Sequence, residues 1–268
     1  MRTGAAGVGR TMLEQISRYW RVFATGFCFV MFGLGGLLLR LLVFPPLNLL
    51  VRQRHKRIAF ARAVIRIAFR AFIDLMQLVG VLRYEIVGLQ RLERGGLLIL
   101  ANHPTLIDTV FLMAFVKHAD CIVKGGLWNN PFTRGPVQAA GYINNDQGMD
   151  LVSDCIASIK GGNNLIVFPE GTRTPYSGEI RLKRGAANIA VRGASDVTPV
   201  VIHCEPMTLG KGEKWWRVPA RNVRFRLEVR EDIKIDRFIG GGRPEALAAR
   251  DLTMYLQTYF TEENRRHA

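Results

Sequence analysis

The chain has 268 residues, 49% of them hydrophobic, and its 37 Lys and Arg against 22 Asp and Glu give a net charge of +15. That length suits one domain, or one domain with a membrane-anchoring segment, and the apolar content excludes a disordered chain. The charge points to anionic partners: lipid headgroups, nucleic acid or an acidic carrier protein. Cys28, Cys121, Cys155 and Cys204 form no CxxC pair and fit neither a zinc ribbon nor a disulfide framework, so reduced thiols are expected.

Residues 1–21 are polar and basic, and residues 22–39 carry no formal charge, which reaches the lower length limit of a membrane-spanning helix. Arg40 follows, then a second apolar stretch, 41–51, interrupted by Pro45 and Pro46. Two arrangements fit: one span from 22 to about 44, or a shallow hairpin that bends at the proline pair. The long first segment without a clear cleavage site argues against a secretory signal peptide. Arg10, Arg18 and Arg21 lie before the apolar stretch and a denser basic cluster after it, which favours a cytoplasmic C-terminal part.

Residues 52–79 have helical periodicity. Ile58, Ile65, Phe69, Phe72, Met76 and Val79 make an apolar face, and Arg62, Arg66 and Arg70 recur every four residues on another. Such a helix suits an anionic headgroup boundary, or a domain surface with a solvated arginine stripe. After Gly80 strand-like runs (84–87, 97–101, 121–124, 165–168, 197–203 and 223–229) alternate with helical patterns after Pro104 and over 151–160, 186–192 and 244–263. This alternation indicates an α/β fold with a mixed, largely parallel sheet flanked by helices, preceded by a membrane-associated helical segment.

Two segments carry chemistry. Asn102-His103-Pro104-Thr105-Leu106-Ile107-Asp108 follows the strand at 97–101, and Pro104 suggests that a helix opens directly after His103. An imidazole folded over that first turn can meet the carboxylate of Asp108, which would hold one ring nitrogen protonated and leave the other as a base. Phe168-Pro169-Glu170-Gly171-Thr172-Arg173-Thr174 follows the strand at 165–168. A strand end followed by a glycine turn is where α/β proteins place ligands, and Glu170 and Arg173 can accept from a hydroxyl and clamp an anion. A third segment, Lys211 to Arg217, pairs cations with Trp215 and Trp216, and suits either membrane docking or packing on the domain.

The His103-x4-Asp108 pair with the Phe168-Pro-Glu-Gly-Thr-Arg173 run resembles the glycerolipid acyltransferase family, the PlsC-like 1-acylglycerol-3-phosphate and lysophospholipid acyltransferases. Further blocks match in order: Lys124-x2-Leu127-x3-Pro131 with Gly141-Tyr142-Ile143, then Leu182-Lys183-Arg184-Gly185-Ala186, then Val197-Thr198-Pro199-Val200-Val201. The resemblance covers roughly residues 80–230 and implies residues 1–79 as the anchoring region and 80–268 as the acyltransferase domain.

It implies His103 and Asp108 as catalytic, and Glu170, Gly171, Thr172, Arg173, Lys183 and Lys124 as substrate-binding. It implies no cofactor or metal, with acyl-CoA or acyl carrier protein as co-substrate, membrane lipids and no nucleic acid as partners, and the inner membrane as location. One position departs: Gln147 stands where the family usually has an Arg associated with the acceptor phosphate. The acceptor is then a lysophospholipid-like hydroxyl, or a non-phosphate or secondary-metabolite group taking O- or N-acylation; a non-catalytic membrane scaffold is the reading from another class.

Overall fold

The computed structural model describes residues 4–129 and 133–266. Helix α1 (Gly4–Leu38), a π-helical turn (Leu39–Val43), α2 (Phe44–Leu50) and α3 (Arg54–Leu78) come first. Strands β1 (Leu82–Val87) and β2 (Leu98–Ala101) are followed by α4 (Asp108–Phe115), β3 (Ala119–Val123), α5 (Gly125–Asn129), α6 (Arg134–Ala139), β4 (Ile143–Asn144), α7 (Leu151–Lys160) and β5 (Asn164–Val167). Helix α8 (Gly185–Gly193), β6 (Val197–Glu205), β7 (Val223–Val229) and α9 (Glu245–Arg265) complete the order.

The sheet runs β1-β7-β6-β2-β5-β3-β4, and β6 with β7 is its antiparallel pair. Strand β2 is apolar throughout because both its faces are covered. Leu98 and Leu100 enter a core with α7, α8 and α9, whereas Ile99 and Ala101 enter the other core with α1, α3 and α4. Strands β2, β3, β4, β5 and β6 all point the same way, so their following loops gather at one edge. Asn164 ties the opposite edge: its Oδ1 accepts from Leu97 N at 3.0 Å, and its Nδ2 donates to the carbonyls of Arg94 and Lys117 at 2.8 and 2.9 Å.

The expected strands are all present. Strand β4 was not expected, because two residues are too short for any alternation to register. The helix after His103 begins at Asp108 rather than at Pro104, since residues 105–107 form a turn closed by the side chain of Asp108.

The proline pair does not bend the chain. Pro45 and Pro46 occupy the first turn of α2, where the missing N–H groups are least costly, and the π turn just before them absorbs the altered ladder. Residues Ser17–Leu50 thus form one helical rod, long and apolar enough to cross a membrane by length and composition. The reversal lies at residues 51–53, after which α3 returns along α1: Phe32 stacks on Phe69 and meets Phe72 at a tilt, and Trp20 Nε1 donates to Val79 O at 3.0 Å. Arg21 is not a free topogenic charge either. It is buried and donates to Ala220 O at 2.6 Å and Ser17 Oγ at 2.7 Å, joining α1 to the loop before β7.

The arginine stripe of α3 is neither solvated nor a headgroup surface as a unit. Arg62 is buried; its guanidinium pairs with Asp120 at 2.8 Å and donates to Ala140 O at 2.9 Å and Asn163 Oδ1 at 2.8 Å. Asp120, itself buried, also accepts from Ser158 Oγ at 2.6 Å. Arg70, by contrast, is exposed, pairs with Asp74 at 3.2 Å and lies over the Phe115 ring. The Arg62 contacts fasten α3 to β3 and to the end of α6. Arg62→Ala would strand the Asp120 carboxylate and is expected to cost about 3–5 kcal/mol in thermal unfolding. Adding Asp120→Asn should return more than half of that loss; purely additive losses would contradict the coupling.

Candidate active site

Beyond β2 the sheet is extended by a side chain. Asn102 is buried, donates from Nδ2 to Ile202 O at 2.8 Å and accepts from Ile202 N at 2.7 Å. This amide copies a strand pairing and fixes the direction in which the chain leaves β2. His103 follows, and its backbone is stitched to the loop after β5: His103 N donates to Glu170 Oε1 at 3.1 Å, and His103 O accepts from Thr174 N at 2.7 Å. Glu170 Oε1 also accepts from Thr174 Oγ1 at 2.8 Å. Adjacent parallel strands therefore deliver both expected segments to one place.

His103 Nδ1 lies 2.9 Å from Asp108 Oδ2. Asp108 is fully buried and receives two further bonds from Thr105: N–H to Oδ2 at 2.7 Å and hydroxyl to Oδ1 at 2.5 Å. The carboxylate reaches back to the Thr105 N–H and closes the turn before α4, and the same bonds aim it at His103. An ionised carboxylate only accepts, so it assigns the proton to Nδ1 and leaves the lone pair on Nε2, where it can take a proton from a hydroxyl. The imidazole stacks on Phe168, with ring centroids 4.2 Å apart and planes 22° apart. Burial pushes the Asp108 carboxyl above its ordinary value, against the opposing bonds from His103 and Thr105.

The loop after β5 turns tightly. Gly171 has φ +67°, and a Cβ there would meet the Lys183 side chain, whose Nζ lies 2.9 Å from that point. Lys183 N donates to Pro169 O at 2.8 Å, so the ammonium-bearing side chain is laid over the turn. Arg173 Nη1 donates to the carbonyls of Leu209 and Gly210 at 2.9 and 2.8 Å, and Leu106 N donates to Leu209 O at 3.1 Å. Arg173 thus joins the turn to the loop between β6 and β7.

Thr172 is exposed on the same turn. Lys124 is exposed just after β3, on the same sheet edge. The side chain of Gln147, and Pro131, lie outside the described residues. Trp215 packs on α1: a Cβ at Gly26 would come within 3.2 Å of its ring, and Phe29 meets it edge-on at 6.2 Å.

Three supporting residues escaped the sequence reading: Thr105, Thr174 and Asn102. Only Thr105 left a local signal, its Thr-x2-Asp spacing; the other two act across strands. Behind Ile107 and Leu209 an apolar crevice of about 20 Å³ reaches Thr25, room for about one water and not for an alkyl chain. Among the described residues no group of three or more His, Cys, Asp or Glu is placed to hold a metal ion.

Residues 83–203 match the family described as Acyltransferase. A 1-acyl-sn-glycerol-3-phosphate acyltransferase of Pseudomonas aeruginosa is 28% identical over 145 residues, 52% of this chain and 56% of that protein. Another from Saccharomyces cerevisiae is 28% identical over 147 residues, 51% of this chain and 48% of that protein. The matches thus span about half the length of these curated relatives. The crystal structure of the 1-acyl-sn-glycerophosphate acyltransferase PlsC from Thermotoga maritima shares the fold, with a TM-score of 0.65 and 20% identity over 94% of this chain and 98% of that one.

Burial also raises the Glu170 carboxyl above its ordinary value of 4.5, against the bonds from Thr174 and His103. A carboxyl raised on folding holds its proton more tightly in the folded state. The stability this gives at acid pH is lost as pH rises from the ordinary value through the raised one. Glu170→Gln removes the penalty of the buried charge. The melting temperature of the variant relative to wild type should therefore rise as pH climbs from about 4.5 through the raised value. A relative fall over that range would show the sign to be wrong.

Proposed function

We propose, on the premise that residues 83–203 belong to the PlsC-like glycerolipid acyltransferase family, that this chain transfers a fatty acyl group from a thioester to a hydroxyl of a lysophospholipid-like acceptor. The observation that carries the reading is the 2.9 Å contact between His103 Nδ1 and the buried Asp108 carboxylate, stitched through the His103 backbone to Glu170. His103 Nε2 removes the acceptor hydroxyl proton as the oxygen attacks the thioester carbonyl. The tetrahedral intermediate collapses, the C–S bond breaks, and the thiolate leaves with the proton held by His103. An ester and a free thiol result, with no covalent acyl-enzyme. Asp108 keeps the imidazole in one tautomer and stabilises the imidazolium between the two steps.

In this reading the second oxygen of Glu170 meets the acceptor. Thr172, Arg173 Nη2 and Lys183 take its headgroup around the Gly171 turn, and Lys124 guides anions along the sheet edge. The donor is acyl-CoA or acyl carrier protein, no cofactor or metal takes part, and the +15 charge suits either donor. Residues 1–79 anchor the protein in the inner membrane, and residues 80–268 work on its cytoplasmic side. The rod Ser17–Leu50, with Phe23, Leu41 and Leu42 exposed, supports that placement. Gln147, in the position of an expected Arg, favours a second reading in which the acceptor lacks a phosphate. A neutral amide forgoes a charge-assisted bond of about 1.5–3 kcal/mol.

Purified protein supplied with a labelled acyl thioester and a panel of lysophospholipids, alcohols and amines, read by mass spectrometry, separates the two acceptors. His103→Ala should lower transfer by about 10²–10⁴-fold with unchanged melting temperature and membrane retention. Asp108→Asn should keep the fold, since its amide can satisfy both Thr105 groups, and should lower kcat with little change in KM. Wild-type turnover in the His103 variant would remove the proposed base.

A further inference from the structure

A cavity of about 480 Å³ opens between the π turn with α2, the start of α3, and α6. Its described lining includes the guanidinium-bearing Arg40, Arg57 and Arg134, with Asn48, Gln138 and Phe44 beside them, and contains no carboxylate. None of the residues assigned above to acyl transfer borders it. Three elements each contribute one arginine, so the cluster exists only in the folded hairpin. Arg134 Nε reaches Gln138 Oε1 at 3.4 Å along one face of α6. Gly135 makes the approach possible: a Cβ there would stand 3.3 Å from Arg40 Cγ, so the Arg40 stem lies flat across α6.

A guanidinium is planar, permanently charged and forked to fit phosphate oxygens, and it is the usual partner of a desolvated phosphate. A volume of this size is typical of a small-molecule site. The surroundings select among phosphates. Leu41, Leu42, Leu49 and Leu50, on the same stretch as Arg40, are 58, 65, 81 and 78% exposed. Charge and bare apolar surface therefore lie side by side at the end of the rod. A soluble phosphate could meet Arg57 and Arg134 but would leave those leucines in water. A molecule with a phosphate and alkyl tails satisfies both.

We propose that this cavity binds the phosphate of a membrane phospholipid, whose tails lie on Leu41, Leu42, Leu49 and Leu50, at a site separate from His103. Its occupation would hold the π turn and α2 against α6, where a bilayer lipid joins the helical hairpin to the sheet domain. The site stands on its own geometry and does not require the acyl-transfer reading.

The test uses the full chain in detergent, titrated with phosphatidylglycerol and with diacylglycerol of the same tails, and read by native mass spectrometry and thermal shift. Wild type should retain phosphatidylglycerol at least about tenfold better than the phosphate-free lipid. Arg57→Gln with Arg134→Gln should abolish that preference, while the lipid-free melting temperature and transfer to a short soluble acceptor stay unchanged. Should the double variant misfold, Arg134→Gln alone, at an exposed position, should weaken retention at least about threefold.

Inorganic phosphate and adenosine 3′,5′-bisphosphate are the soluble competitors. Displacement of phosphatidylglycerol only at high competitor concentration supports a lipid site. Tight binding of the bisphosphate that is lost in the same variants would assign the cavity to a thioester donor and overturn the proposal. Equal retention of both lipids, or unchanged retention in the variants, would overturn it too.

Discussion

A fully buried carboxylate that must serve three donors sets the geometry of this protein's chemistry. Asp108 takes the N–H and hydroxyl of Thr105 and faces Nδ1 of His103. With one oxygen shared and the other capped, the side chain has little rotational freedom. Its neighbour His103 inherits that order through Nδ1 and through its stacking on Phe168. Burial opposes the charge on Asp108. The fold therefore accepts a desolvation cost at this point, and the ordered donors recover part of it. A carboxylate so held can answer a positive charge arriving on the imidazole without reorganising.

The second constraint is the adjacency of parallel strands β2 and β5. Their register brings Ala101 and Val167 to the same edge, so the next residues of each chain leave together. His103 and the Pro169–Thr174 turn then exchange backbone and side-chain bonds in both directions. Arg173 extends the same cross-linking to the Leu209–Gly210 loop. Three segments distant in sequence are thus locked around one imidazole. The same feature divides the labour of Glu170 and Arg173. Each spends bonding capacity on the scaffold, Glu170 on His103 and Thr174 and Arg173 on two carbonyls, which ties the shape of the site to these side chains.

Much of this was legible in the sequence, and for identifiable reasons. Strands β2 and β5 are short apolar runs bounded by polar segments, because both faces are covered. Helix α7 came out at its observed bounds because its periodicity is clean. His103 and Asp108 were legible as a spacing, and the glycine turn as a strand-end motif. What stayed hidden depends on partners distant in sequence. Asn102 pairs with Ile202 across a strand, and the Thr174 N–H meets the His103 carbonyl only once β2 and β5 lie side by side. The sequence left a single span and a bend at Pro45 and Pro46 both open, because a pattern of letters does not show the π turn that accommodates them. Arg62 read as a surface charge because Asp120 lies 58 positions away and carries no local sign of burial.

The arginines also change the meaning of the net charge. A value of +15 invites the picture of one basic surface, yet the structure divides the cations by function. Arg62 and Arg21 are buried fasteners that join the N-terminal helices to the sheet domain. Arg173 is a loop clamp. Arg226 and Arg230 converge on Glu228, and Arg230 reaches on to Glu263 of α9. These groups meet carboxylates or carbonyls within the fold and contribute little to any field outside it. Other cations stay at least partly exposed, and two places set them beside features of the fold: Lys183 over the turn next to His103, and Arg57 with Arg134 in the cavity beside the apolar rod. The fold thus sets one basic turn next to His103 and one basic cavity next to exposed leucines, two separate places that the net charge alone does not distinguish.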